Sequence, residues 1–169
     1  MRKRSKYRPK GVIRDPLAYV LSGMKVVGQI GAGTDLMIKN HMALDNVRQG
    51  VGTKEDIDIL IGALNITDAL SLMRIGDEWQ SEIRAAQDAL LELGRRGVET
   101  GKFILRGPEL TALNLAMEVH DAQLEVCTVT EMEQAMKLID REFRAGKMRP
   151  IIRKDSNGKE GTKAQTANA

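Results

Sequence analysis

The stretch "KVVGQIGAGTDL", residues 25–36, decides the fold class, because it can be read as an apolar strand entering a glycine-rich phosphate-binding turn. A dinucleotide-binding fold requires Gly-x-Gly-x-x-Gly between a strand and a helix, followed by an acidic residue about 20 positions later. Gly31 and Gly33 supply the first two glycines, but Leu36 occupies the third position, where close packing needs a small residue. Asp56 has the spacing of the acid, but it lies at the start of a predicted helix.

The second phosphate-binding pattern, Gly-x-x-x-x-Gly-Lys-Ser/Thr, also fails in this stretch. Gly28 and Gly33 have the required spacing, but Thr34 and Asp35 follow where lysine and a hydroxyl residue are needed. Helical patterns follow instead of a β-α-β continuation. We therefore interpret this stretch as a flexible glycine turn between the first helix and the helix capped near Thr34, and the sequence predicts no cofactor.

Six helices are predicted from apolar residues at helical spacing and from capping residues at the helix starts. Their expected starts and ends are Asp15–Pro16 for the first, about Thr34 to Arg48 for the second with Thr34 or Asp35 as its cap, Thr53 to about Arg74, Asp77 to a C-cap at Gly97, Pro108 to near Cys127, and about Thr130 to Ala145. The sixth helix has two alternative capping boxes, Thr128 with Glu131 or Thr130 with Glu133.

These helices predict an all-α fold, a compact bundle with short connections. Only residues 102–106, "KFILR", have a strand-like pattern, as a lone extended segment or part of a small hairpin. Aromatic residues make up only 3% of the chain, so the core must be mainly aliphatic. The predicted inward faces include Leu17, Val20, Leu21 and Met24 in the first helix; Trp79, Ile83, Ala86, Leu90 and Leu93 in the fourth; Leu110, Leu113, Met117, His120 and Leu124 in the fifth; and Met132, Met136, Ile139 and Phe143 in the sixth.

The net charge of +3 hides a strong segregation of charge along the chain. Residues 1–14 carry +7, residues 15–143 carry −9 and residues 144–169 carry +5. We predict a flexible basic arm at 1–14, a single helical domain at 15–146 and a disordered basic tail at 147–169. The single cysteine, Cys127, excludes a disulfide within the chain and indicates a reducing compartment, here the cytoplasm. No apolar run is long enough to predict a membrane span.

No catalytic or metal-binding residues are predicted. Neither His41 nor His120 has a second histidine or cysteine at a short metal-ligand spacing. Glu118, Asp121 and Glu125 form an acidic stripe that, with His41 and His120, would allow a metal site on a bundle. The simpler interpretation is a solvated acidic face with a partly buried histidine, and the question of an enzyme stays open.

The basic arm is the most functional-looking segment of the sequence. Lysine and arginine neutralise phosphates and release counterions, and an aromatic ring can stack on a base. The predicted nucleic-acid-binding residues are Arg2, Lys3, Arg4, Lys6, Tyr7, Arg8, Lys10 and Arg14. Two other roles are open: a solubilising end, or a segment that folds onto the acidic surface of its own or a neighbouring subunit as an oligomerisation device.

Three segments, "KYRPKGV" at 6–12, "IKNHMAL" at 38–44 and "GPELTALNLAMEVHDAQLE" at 107–125, resemble parts of small helical proteins encoded by temperate tailed phages and prophages. The resemblance spans about residues 3–145 and omits the C-terminal tail. It implies a setting in the bacterial cytoplasm during infection or lysogeny. It carries over no active site and no ligand.

The preferred functional hypothesis is a non-enzymatic phage-type accessory protein that binds DNA, RNA or a nucleic-acid-bound complex through residues 1–14. A second hypothesis is an adaptor or inhibitor that contacts a host or phage protein through the acidic helical body. A third is a metal-dependent enzyme using His120 and nearby carboxylates. No membrane partner is predicted, and a homo-oligomer is compatible with each hypothesis.

Overall fold

The computed structural model describes residues 16–26 and 32–146, and in these ranges the protein is an all-α bundle, as the sequence predicts. Its six helices are α1 (Pro16–Ser22), α2 (Ala32–Arg48), α3 (Lys54–Leu72), α4 (Gln80–Thr100), α5 (Gly107–Val126) and α6 (Val129–Arg144). A single 3-10 turn, Asp77–Trp79, precedes α4. The strand-like residues 102–106 are a lone extended segment, in which Phe103 makes one antiparallel bridge to Gly52.

The central helix of the bundle is α3, which packs against α2, α4, α5 and α6. Its buried residues lie on more than one face because neighbours surround it. They contribute to two apolar clusters. The first is formed by side chains of α2, α3, α4 and α5. It contains Ala43, Leu44, Val47, Ile57, Leu60, Ala63, Leu64, Ala86, Leu90, Leu93, Leu113, Ala116 and Met117. The second lies where α3, α5 and α6 meet and contains Ala69, Leu70, Leu124, Cys127 and Ala135.

Two capping boxes fix the starts of α3 and α6. The Thr53 hydroxyl accepts a hydrogen bond from the Asp56 backbone N–H at 3.3 Å, and the Asp56 carboxylate accepts one from the Thr53 N–H at 2.8 Å. Thr128 and Glu131 repeat this arrangement at α6. Of the two threonines that the sequence allows as the N-cap of α6, Thr128 is therefore the one used. Each box satisfies backbone donors that the first turn would otherwise leave unpaired.

Two predicted helix ends are wrong. Helix α2 begins at Ala32, so Thr34 and Asp35 lie inside its first turn and neither is the N-cap. Helix α4 passes through Gly97 and ends at Thr100, where Gly101 adopts a left-handed φ of +70°. Gly97 is buried and faces Phe103, whose ring would lie 2.1 Å from a Cβ at this position. The glycine therefore allows the extended segment to pack against α4 and does not terminate the helix.

The α4–α5 connection is held by a two-pronged ion pair. The Arg96 guanidinium donates to both carboxylate oxygens of Glu109, at 2.7 and 2.6 Å, and to the Ile104 carbonyl at 3.3 Å. The same carboxylate accepts a hydrogen bond from the Arg106 backbone N–H at 2.8 Å, which caps α5. One acidic residue thus fixes both the loop and the start of the next helix.

The predicted inward faces are confirmed for α4 and α5, in part for α6 and not for α1. Ile83, Ala86, Leu90 and Leu93 are buried in α4, as are Leu113, Met117, His120 and Leu124 in α5. The exception on the predicted face of the fourth helix is Trp79, which lies in the 3-10 turn and is 40% exposed. All four residues of the predicted α1 stripe are exposed, namely Leu17, Val20, Leu21 and Met24.

In α6 Ala135 is buried, and the predicted inward residues Met132 and Ile139 are half-buried against the second cluster. Met136 and Phe143, by contrast, are 51% and 72% exposed. The cause is that α6 packs mainly against a single helix, α3, which covers only the middle of its wide apolar arc. Among the described helices, none is long and apolar enough to cross a membrane.

Candidate functional site

The predicted nucleic-acid-binding residues lie outside the described residues. They are Arg2, Lys3, Arg4, Lys6, Tyr7, Arg8, Lys10 and Arg14. The predicted arm at 1–14 and the predicted tail at 147–169 lie outside the described residues as a whole. The structure therefore bears on the helical body to which these segments are joined.

The body is acidic, and its positive charge is largely paired. The described residues contain 13 basic and 20 acidic side chains, a formal charge of −7. Eight of the basic residues form ion pairs with carboxylates of the same chain: Arg48, Arg74, Arg84, Arg95, Arg96, Lys137, Arg141 and Arg144. This pairing leaves exposed carboxylates in excess on the surface of the body, and such a surface repels nucleic-acid phosphates.

A buried polar cluster lies where α2 crosses α3 and α5. The His120 side chain is fully buried, and both of its ring nitrogens have partners. Asn40 Nδ2 lies 3.1 Å from His120 Nε2, and Thr67 Oγ1 lies 2.8 Å from His120 Nδ1. The Thr67 hydroxyl also donates to the Ala63 carbonyl at 2.9 Å.

These contacts define one tautomer of His120. A hydroxyl has a single hydrogen, and that of Thr67 is used by the Ala63 carbonyl, so Thr67 Oγ1 accepts from Nδ1–H. Nε2 then carries the lone pair and accepts from the Asn40 amide. Burial lowers the pKa of His120 to about 4, with His41 contributing in the same direction and Asp121 opposing it. His120 is therefore a neutral, fully hydrogen-bonded core residue near pH 7.

The adjacent residues His41 and Asp121 pair on the surface beside this cluster. His41 Nε2 lies 2.7 Å from Asp121 Oδ2, and the His41 side chain is about half exposed. The structure thus brings His41 to one carboxylate of the acidic stripe, as the metal hypothesis requires. However, within residues 16–26 and 32–146 no three His, Cys, Asp or Glu side chains gather in a way that would hold a metal ion.

Three buried polar residues of the interior are not predicted from the sequence. Asn40, Thr67 and Gln123 are all buried, and Gln123 Nε2 donates to the Thr67 and Ile75 carbonyls at 3.1 and 2.6 Å. Those bonds join α5 to the end of α3. The available signal was a polar side chain in a helical apolar series, such as Thr67 after Leu60 and Leu64. That signal indicates a buried polar residue but not its partner.

Two shallow grooves with apolar floors open on the surface. The α6 groove, about 420 Å³, lies between Val26 and the outer flank of α6; its lining residues are Val26, Val129, Met132, Glu133, Met136, Lys137 and Asp140. The α2–α3 groove, about 270 Å³, is lined by Asp35, Ile38, Lys39, Met42, Ala43, Asn46, Asp56 and Ile59. An apolar floor with a charged rim suits the side chains of a protein partner.

No protein-family model matches this chain, and no curated protein or solved structure was found to be similar to it.

Proposed function

We propose that this protein is a non-enzymatic accessory protein, of the kind that temperate phages encode, and that it binds nucleic acid or a nucleic-acid-bound complex through its basic arm, residues 1–14. The observation that supports the proposal is the separation of charge. Residues 1–14 carry +7, whereas the described body carries −7 and pairs most of its own basic side chains.

This separation assigns different roles to the two parts. Each phosphate neutralised by a lysine or arginine releases condensed counterions, so the arm supplies a favourable and salt-dependent free energy of binding. The acidic body opposes binding to any phosphate that it approaches. Contact with DNA or RNA is therefore confined to the ends of the chain, and Tyr7 adds a ring able to stack on an unpaired base.

The experiment measures binding to duplex DNA, single-stranded DNA and RNA by fluorescence anisotropy across a salt series. Deleting residues 2–10 removes six basic residues. We expect the affinity at low salt to fall by at least about 100-fold, and the slope of log K against log salt, up to about −5 for six phosphates on duplex DNA, to approach zero.

The matched control deletes residues 155–169, which contain two basic and two acidic side chains and no net charge. This variant should retain both the affinity and the salt slope. Absence of binding by the intact protein at low salt, or equal binding after the arm is deleted, would refute the proposal.

A second candidate function is an adaptor or inhibitor that binds a host or phage protein through the helical body. The observation in its favour is the α2–α3 groove, where Ile38 and Met42 are 53% and 61% exposed beside Asp35. Exposed apolar side chains next to a carboxylate suit a basic amphipathic segment.

Affinity capture from nuclease-treated bacterial lysate distinguishes this candidate from the first. A protein partner retained by the intact chain and by the arm deletion, but lost with Met42→Asp, would support an adaptor. Val98→Asp is the control, because Val98 is similarly exposed, at 58%, on a different helix. Loss of every partner on nuclease treatment would count against it.

A further inference from the structure

We propose that two copies of this chain associate through antiparallel α6 helices, with Phe143 of each copy seated in the α6 groove of the other. The occupant of the groove is thus a second copy of the same chain. This inference does not depend on the proposed function, since it rests on the described residues of α6 and of the groove beside it.

The first observation is an apolar flank on α6 that the fold leaves exposed. Phe143 is 72% exposed, the largest fraction of any large apolar side chain in the described residues, and Met136 is 51% exposed. Val129, Met136 and Phe143 follow each other at seven-residue spacing, so they lie along one side of the helix. Their flank borders the α6 groove, which Val129 and Met136 help to line.

The second observation is the order of charges beside this flank. Glu133, Lys137, Asp140 and Arg144 alternate between negative and positive along the helix. Within one chain they pair as Glu133 with Lys137 at 3.9 Å and Asp140 with Arg144 at 2.9 Å. All four side chains are more than half exposed, so they remain accessible to a second copy.

The alternating order is complementary to its own reverse. When Lys137 of one copy lies opposite Asp140 of the other, Glu133 lies opposite the second copy's Arg144, and the two-fold axis passes between positions 138 and 139. A two-fold interface requires such self-complementarity. A parallel arrangement would instead place every charge opposite its own like charge, which is unfavourable.

The same alignment brings the exposed aromatic ring to the groove. With a rise of about 1.5 Å per residue, Phe143 lies about 7 Å along the helix from the two-fold axis. The second copy's Phe143 is therefore level with Gln134. The α6 residues that line the groove run from Val129 to Asp140, so this level is the middle of the groove. The ring would lie near Met132 and Met136, and its burial removes an exposed apolar surface twice per dimer.

Pairing within one helix would by itself also produce alternating charges at four-residue spacing. The apolar flank beside those charges is the additional feature that needs a partner. Met136 and Phe143 in this flank have the helical spacing of core residues, but both lie outside the core. Their exposure is the largest difference between the predicted inward face of α6 and the observed one.

Sedimentation velocity over a series of protein concentrations tests the association. The full chain should show a monomer–dimer equilibrium, and Phe143→Glu should shift its dissociation constant upward by at least about tenfold. Val98→Glu is the matched control, because it places the same charge at an exposed apolar position of a different helix, α4, and it should not change the constant. Circular dichroism checks that each variant keeps its helices. A chain that is monomeric at every accessible concentration, or a dimer that Phe143→Glu leaves intact, would overturn the proposal.

A charge exchange tests the pairing across the interface. Lys137→Glu should weaken the dimer, and the double variant Lys137→Glu, Asp140→Lys should recover it, because the order of charges becomes self-complementary again. Equal dimerisation of all three proteins would overturn the charge pairing.

Disulfide trapping tests the antiparallel direction. In the proposed dimer the two copies of position 137 lie about 5 Å apart along the axis, whereas the two copies of position 133 lie about 16 Å apart. A disulfide requires Cα atoms within about 7 Å. The axial offset at position 133 alone exceeds this limit, so Glu133→Cys should not cross-link to its own copy, whereas the small axial offset at position 137 keeps the limit within reach, so Lys137→Cys should. The native Cys127 is buried, so the unmodified chain gives the background. Cross-linking through position 133 alone would refute the antiparallel arrangement.

Discussion

Protonation of His120 should make the stability of the fold strongly dependent on pH in mildly acidic solution. Burial lowers its pKa from the ordinary histidine value of 6.5 to about 4. Between these two pH values the unfolded chain binds a proton that the folded chain does not, so folding is penalised increasingly as the pH falls. The contribution of His120 is fully present above about pH 6.5 and is lost progressively towards pH 4.

The size of the effect follows from the shift. A difference of about 2.5 pKa units corresponds to roughly 3 kcal/mol, at about 1.4 kcal/mol per unit. The hydrogen bonds explain why the folded state does not adapt easily. A second proton would have to sit on Nε2, which already faces the donating amide of Asn40. The charged ring would therefore need both solvent and a reoriented amide.

Urea unfolding of the intact chain and of His120→Gln, measured from pH 7.5 to 4, isolates this contribution. The free energy of unfolding of the intact chain should fall by roughly 3 kcal/mol more than that of the variant. Carboxylates contribute to both proteins and cancel in the difference. Asp56 is an example: burial raises its pKa, but hydrogen bonds from Asn46 and Thr53 outweigh burial and leave the pKa lowered.

His41→Gln is the control for the loss of a histidine at an exposed position, and should keep the steep decrease. Parallel curves for the intact chain and His120→Gln would refute the reasoning, since they would show that burial and the two hydrogen bonds do not exclude the proton.

Three further predictions concern the packing of the bundle. Gly97→Ala should lower the free energy of unfolding by about 1–3 kcal/mol, because the new Cβ would meet the Phe103 ring at 2.1 Å; Gly62→Ala, where no atom lies within 4 Å, should instead raise it by about 0.5–1 kcal/mol in the same urea titration. Thr53→Ala should cost about 1 kcal/mol by removing the α3 cap, and an unchanged urea midpoint would show that the capping box contributes nothing. Arg96→Lys should cost about 1 kcal/mol in thermal unfolding, since a lysine cannot make the two-pronged contact that holds the α4–α5 loop, and an unchanged melting temperature would count against that role.

The helices themselves could be predicted from the sequence because their signals are local. A capping threonine and an acid three residues later identify the start of α3, and apolar spacing identifies the buried face of α5. A nucleotide-binding fold is also excluded by local features, namely Leu36 at the third glycine position and the helical patterns that follow it. These signals require no knowledge of which helices become neighbours.

The remaining features depend on the arrangement of the helices in space. Asn40 and His120 are 80 residues apart, so nothing in the sequence indicates that they share a hydrogen bond. The apolar arc of α6 predicts an inward face, but it does not show that mainly α3 covers it, leaving Phe143 exposed. Gly97 has the sequence position of a C-cap, and the sequence does not show that Phe103 packs against it. The structure places His41 beside Asp121, a proximity that the metal hypothesis requires, but among the described side chains no further ligand joins them.

The central position of α3 has a consequence for how the protein unfolds. The first half of the helix contributes Ile57 and Leu60 to one apolar cluster, and its second half contributes Ala69 and Leu70 to the other. Opening either cluster therefore frays a helix that the other one needs. The two clusters should behave as one cooperative unit rather than as separate foldons, and amide hydrogen exchange should be slowest along the middle of α3.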